Sequence, residues 1–98
     1  MFLLYNENMQ YVYVLISLND RRLYIGTTTD LKKRLEMHNS GFVIATKNRI
    51  PFKLIYYESY TEISEAKRRE KYLNGGAGHN ELKIQIQDAL LNNDYKFI

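Results

Sequence analysis

The chain contains no cysteine, no tryptophan and a single proline, and none of its apolar runs approaches the ~20 residues needed to cross a bilayer. Without cysteine there is no disulfide framework, no thiolate metal site and no redox thiol, and a reducing, cytoplasmic compartment is the expectation. The apolar residues Met1 to Leu4 run into Tyr5 and Asn6 rather than into a signal-peptide core, so neither secretion nor a membrane anchor is predicted. Disorder is excluded from the other side, because 45% of the residues are hydrophobic and 13% aromatic. Ninety-eight residues allow one compact domain, read here as 1–98 with Met1 to Gln10 as a loose lead-in.

Charge is modest in total, +3, but it is unevenly placed. Residues 1–30 carry two Arg against three acids, residues 31–74 ten Lys/Arg against five acids, and residues 75–98 two Lys against three acids. The basic middle clusters its cations at Lys32, Lys33 and Arg34, at Lys47 and Arg49, and at Arg68 and Arg69, with Tyr56, Tyr57, Tyr60 and Tyr72 among them. Cations that neutralise phosphates beside rings that stack on bases form a nucleic-acid footprint. A solvated helix face would produce the same composition.

Pattern predicts the order β-β-α-β-α-α. Tyr11 to Ser17 and Arg22 to Thr27 are dense in β-branched and aromatic residues, and Leu18-Asn19-Asp20-Arg21 between them supplies a hairpin turn. Tyr11 and Tyr13 then share one face of the first strand, while Gly26 on the second permits close approach of a backbone or ligand. Asp30 is placed to cap a helix running to about His38, with Leu31 and Leu35 inward, Arg34 and His38 on one stripe, and Asn39-Ser40-Gly41 as its end. Phe52 to Ser59 is the third strand. A helix beginning at Ser64 runs to Asn74, where Gly75 to Gly78 stop it. Residues 80–92 fit both a strand and a helix period, and the length favours a helix. The fold class is α+β: a small three-stranded antiparallel sheet flanked by helices.

One position breaks its own pattern. Counting from Ile63, the inward positions of the Ser64 helix should be Ala66, then 69 or 70, then Leu73, yet the middle site holds Arg69 or Glu70. A carboxylate turned inward needs a cation, a proton or a metal ion. A Glu70–Arg34 ion pair would satisfy it, as would an Arg69 that snorkels while Glu70 stays solvated. The tyrosines are equally open to packing or chemistry, since a phenol becomes a base only when a nearby cation lowers its pKa of ~10. No His, Asp and Glu spacing suggests zinc, and the glycine cluster lacks the residues of a phosphate-cradling loop.

Taken in order, Tyr11-Val12-Tyr13, Tyr24-Ile25-Gly26, Asp30 to Leu35 with His38-Asn39-Ser40-Gly41, and Arg68 to Leu73 resemble the GIY-YIG endonuclease superfamily. Within it, the chain looks like the small stand-alone single-domain branch, related to the nuclease domain of the excision-repair incision subunit. The resemblance spans residues of about 10–85. It implies a metal-dependent DNA endonuclease with Tyr13, Tyr24, Arg34, His38 and Glu70 in the active site and Glu70 holding one Mg²⁺ or Mn²⁺. It further implies a DNA partner, met by Lys32, Lys33, Lys47, Arg49, Arg68 and Arg69, and leaves the role open among DNA repair, mobile-element processing, defence and uptake of DNA. A catalytically weak or inactive nucleic-acid-binding module of the same fold is the alternative. Three positions depart from the family pattern: Tyr11 stands where Gly is usual, Thr27 where some relatives have Lys, and Asn74 where Lys is usual.

Overall fold

The computed structural model describes residues 9–97, and all but the last two residues of the expected lead-in lie outside them. Three strands form one antiparallel sheet in the order β2-β1-β3, with β1 at Gln10–Ser17, β2 at Leu23–Thr28 and β3 at Phe52–Tyr60. Helices follow at α1 (Leu31–Asn39), α2 (Ile63–Asn74), α3 (Gly76–Gln85) and α4 (Gln87–Asn92), with a short 3-10 turn at Lys47–Arg49.

The central strand explains its own composition. Both its neighbours and both its faces are covered, so Val12 to Ser17 are all buried and no polar alternation survives in that run. Val12 and Val14 point to one face, where Ile25, Ala66, Leu73, Leu82, Ile86 and Leu90 make an aliphatic core beneath α2, α3 and α4. Tyr13 and Leu15 point to the other, where Phe52, Leu31, Leu35 and Leu54 pack beneath α1. The hairpin between β1 and β2 closes on Ser17, whose hydroxyl accepts from the amides of Asn19 and Asp20. Arg21, at φ 61°, completes the turn, and β2 begins one residue later than pattern suggests.

Asp30 does cap α1, its carboxylate accepting from the Lys33 amide at 3.0 Å. Asn39 does more than end that helix. Its amide group accepts from the Phe52 N–H at 2.6 Å and donates to the Phe52 carbonyl at 3.0 Å, tying the end of α1 to the start of β3.

The last third corrects two expectations. Glu62, not Ser64, precedes α2, so Ser64 lies within its first turn. Gly75 alone separates α2 from α3, and Gly76, Ala77 and Gly78 already belong to α3. Glycine is needed at 78 because a Cβ there would clash with the Tyr72 carbonyl, so the two helices can turn against each other only without one. The expected single helix over 80–92 is interrupted at Ile86, whose ψ of 28° ends α3, yet Leu82, Ile86 and Leu90 keep i, i+4 spacing on the core face. Among the described residues no helix is long and apolar enough to cross a membrane.

Candidate active site

Tyr13 sits at the middle of the central strand, opposite Gly26 of β2. Its ring lies over that glycine so closely that a Cβ at 26 would come within 2.7 Å of the phenol oxygen. The close neighbour anticipated for Gly26 is therefore the chain's own tyrosine. From the other side, Leu31 and Leu35 seat α1 on the sheet, and the i, i+4 stripe brings Arg34 and His38 to Tyr13. The Arg34 Nε–H donates to the Tyr13 hydroxyl at 3.2 Å, and that hydroxyl lies 2.8 Å from His38 Nε2. On its far side, His38 Nδ1 is 2.8 Å from the Thr46 hydroxyl, which in turn donates to the Val43 carbonyl at 3.4 Å.

The ends of this chain set its proton positions. With its own proton on Val43, the Thr46 oxygen accepts from Nδ1–H, which leaves the lone pair of His38 on Nε2 to accept the phenol proton. Arg34 has no proton to gain, so Tyr13 accepts from it and donates to His38. That arrangement requires a neutral imidazole. Burial, and after it the Arg34 charge, pushes the His38 pKa down to about 4, so the ring is neutral at pH 7. Burial also pushes the Tyr13 phenol up, against the Arg34 hydrogen bond and charge that would lower it, and Tyr24 and Glu70 add to the rise. The Arg34 pKa is raised, first through its hydrogen bond to Tyr13. Tyr24 completes the group, half-buried on β2 with its ring 5.0 Å from His38 and 6.3 Å from Tyr13.

The inward charge of α2 is Arg69. It reaches Glu58 of β3 through two bonds, at 2.9 and 3.1 Å, and the same carboxylate accepts from the hydroxyls of Tyr56 and Tyr60. Of the two alternatives open for that position, the Glu70–Arg34 ion pair does not form. Glu70 is half-buried, its carboxylate has no hydrogen-bond or ion-pair partner among the described residues, and its charge is near enough to raise the Tyr13 pKa. No cluster of three or more His, Asp or Glu able to hold a metal occurs among the described residues. A site for a hard divalent cation here would thus have at most two such protein ligands. That suits Mg²⁺, which takes one or two carboxylates and fills its shell with water and phosphate oxygens.

Of the cations expected to meet DNA, Arg49 and Arg69 are held in ion pairs, Arg49 with Asp20 at 2.6 Å and Arg69 with Glu58. Arg49 also lies over the Phe52 ring. Lys32, Lys33, Lys47 and Arg68 are exposed. Lys33 and Arg34 line a hollow of about 170 Å³ with Thr28, Thr29, Asp30 and Met37. The terminal nitrogens of Arg34 make no ion pair among the described residues.

Three contributors escaped sequence reasoning. Thr46, fully buried, orients His38, but nothing in the polar stretch Phe42 to Pro51 marks it out. Glu58 needed only a search for the partner of an inward arginine along β3. Asn39 carries two roles where a helix end showed one.

Comparison with known proteins adds the following. The model of the GIY-YIG catalytic domain matches residues 9–81. A UPF0213 protein of Clostridium perfringens is 34% identical over 89 residues, spanning 90% of this chain and 95% of the relative. A UPF0213 protein of Syntrophus aciditrophicus is 44% identical over 80 residues, spanning 80% of this chain and 91% of the relative. One from Streptococcus agalactiae serotype V is 46% identical over 61 residues, 61% of this chain and 68% of the relative. No solved structure matches.

Proposed function

Because the chain belongs to the GIY-YIG catalytic-domain family, a family of nucleases, we propose that it is a metal-dependent DNA endonuclease that hydrolyses phosphodiester bonds. The observation that carries this reading is the buried chain Arg34–Tyr13–His38–Thr46, which aims a phenol proton at a neutral imidazole while a guanidinium rests on the phenol oxygen. A buried tyrosine kept only for packing needs one hydrogen-bond partner for its hydroxyl, not a guanidinium and an imidazole together.

Glu70 is the residue that would hold Mg²⁺ or Mn²⁺. When bound, the cation neutralises charge developing on the phosphate and on the departing 3′ oxygen. The protein side divides the remaining work. Arg34 places its terminal nitrogens on the scissile phosphate, where a planar fork strengthens as negative charge grows on the oxygens. Tyr13 takes a proton from the attacking water as its own passes to His38 Nε2. The water oxygen then bonds to phosphorus, the bond to the 3′ oxygen breaks, that oxygen is protonated from solvent, and the His38 imidazolium releases its extra proton to solvent, which restores the balance. Burial sets the proton affinities of Tyr13 and His38 apart, so the proton rests on the phenol between turnovers and no free phenolate stands exposed. Tyr24, beside both and open on one side, orients the phosphate or the water. Thr46 holds the imidazole tautomer. Lys32, Lys33, Lys47 and Arg68 meet the DNA backbone.

The test is cleavage of supercoiled, linear and single-stranded DNA with Mg²⁺, Mn²⁺ or chelator, beside Glu70→Ala. Expected is cutting that needs the metal and is lost in Glu70→Ala, with DNA binding retained. Undiminished cutting by Glu70→Ala would overturn the assignment of that carboxylate. Binding without cutting in every condition would instead make the chain a nucleic-acid-binding module.

A further inference from the structure

The sheet face that carries Tyr13 is only partly covered. The apolar cluster under α1 includes Tyr13, Leu15, Phe52 and Leu54, but neither Tyr11 nor Tyr57. Both belong to that face: Tyr11 lies two residues before Tyr13 on β1, and Tyr57 is the Cα partner of Tyr13 on β3. Tyr57 is 52% exposed, and its hydroxyl has no hydrogen-bond partner among the described residues. The two rings meet edge to face, centroids 5.8 Å apart at 76°, an arrangement that leaves ring surface open instead of closing one ring on the other.

We propose that Tyr11 and Tyr57 form a stacking platform for an unpaired base next to the scissile phosphate, which makes single-stranded DNA, or the single-stranded arm of a branched molecule, the preferred substrate. The inference rests on the nuclease reading for the position of that phosphate. Continuity with the hollow supports it. Tyr11 is the Cα partner of Thr28, which lines the hollow together with Lys33 and Arg34. Tyr11 thus adjoins the Thr28 edge of the hollow, on neighbouring strands about 5 Å apart, while Lys33 and Arg34 reach the same hollow from α1. Stacking is tolerant of sequence because every base has a π-face, but a base inside a duplex has both faces already occupied. The platform therefore selects for unpaired structure and not for a base identity.

Because the platform acts in binding, it is tested without metal. Fluorescence anisotropy of a labelled oligothymidylate and of a blunt duplex would be measured in chelator for the full chain, Tyr57→Ala, Tyr57→Leu and Tyr57→Phe. Expected is a loss of about tenfold in single-strand affinity for Ala and for Leu, near-parental affinity for Phe, and less than about a twofold change on duplex. Leucine keeps an apolar contact with Tyr11 but offers no aromatic face, so it separates stacking from packing. Equal losses on both DNAs, no loss on either, or no single-strand binding by the parent would overturn the platform. Tyr57-dependent single-strand binding in a chain that never cuts would leave the platform standing and remove the nuclease reading.

Discussion

The two faces of the sheet are built on opposite principles. Beneath α2, α3 and α4 the buried residues are aliphatic, from Val12 and Val14 to Leu82 and Leu90. Beneath α1 a phenol, an imidazole and a hydroxyl are buried among Leu15, Phe52 and Leu35, each hydrogen-bonded. No buried side-chain nitrogen or oxygen among the described residues lacks a partner, so the polar face is complete as well as buried. The aliphatic face packs the sheet against its helices, while the polar face holds the groups of the candidate site in fixed places at the expense of hydrophobic burial that isosteric apolar residues would supply. Along β1 the aliphatic packing and the hydrogen-bonded groups of the candidate site thus alternate, residue by residue, while Glu70 comes from α2.

That division can be broken from either side. The largest effect is expected from Leu82→Ala in the aliphatic core, a loss of about 2–5 kcal/mol in urea unfolding with cleavage per folded molecule unchanged. A parallel loss of activity at full folding would show that the faces are coupled. On the other side, Arg34→Ala should lower the cleavage rate by about 10²–10³ while DNA affinity falls far less, because its contact with phosphate strengthens in the transition state. Equal losses in rate and affinity would reduce Arg34 to a binding residue. The smallest effect is a slope. The folded state holds the His38 pKa at about 4 against the ordinary 6.5, so the unfolded chain takes up that proton first and stability falls as pH drops below 6.5. Over the span from 6.5 to about 4.5 this amounts to something on the order of 2 kcal/mol. Lower still, Asp20 and Glu58 join in: burial pushes their carboxyls up, but their arginine partners bring them down on balance. His38→Gln should flatten the upper part of the slope, read from unfolding midpoints across that range.

Much of this architecture is legible in the sequence because its causes are local. The β1 to β2 hairpin follows from two β-rich runs around Asn19-Asp20, and α1 from Asp30 at its start and Gly41, at φ 80°, just past its end. Arg34 and His38 could be placed on one stripe by counting. Periodicity also located the inward charge of α2, but it cannot tell position 69 from 70, since 100° of rotation separates them and the answer lies in Glu58 across the sheet. The same holds for the α2 to α3 corner. Four small residues look like a stop, and only the packing of Tyr72 against Gly78 shows why three of them continue as helix. Thr46 was invisible because its role depends on the fold of a loop whose residues carry no period.

Asn39 has an effect on the stretch that follows it. By offering one carbonyl and one N–H to Phe52, its side chain acts as an extra rung on β3, so the ends of the 40–51 segment are joined by a route that bypasses the segment itself. Length variation there should be absorbed without displacing the helix that carries the guanidinium and imidazole, provided the Thr46 hydroxyl can still reach its ring. Chimeras that exchange this segment between relatives are the natural use of such a tether.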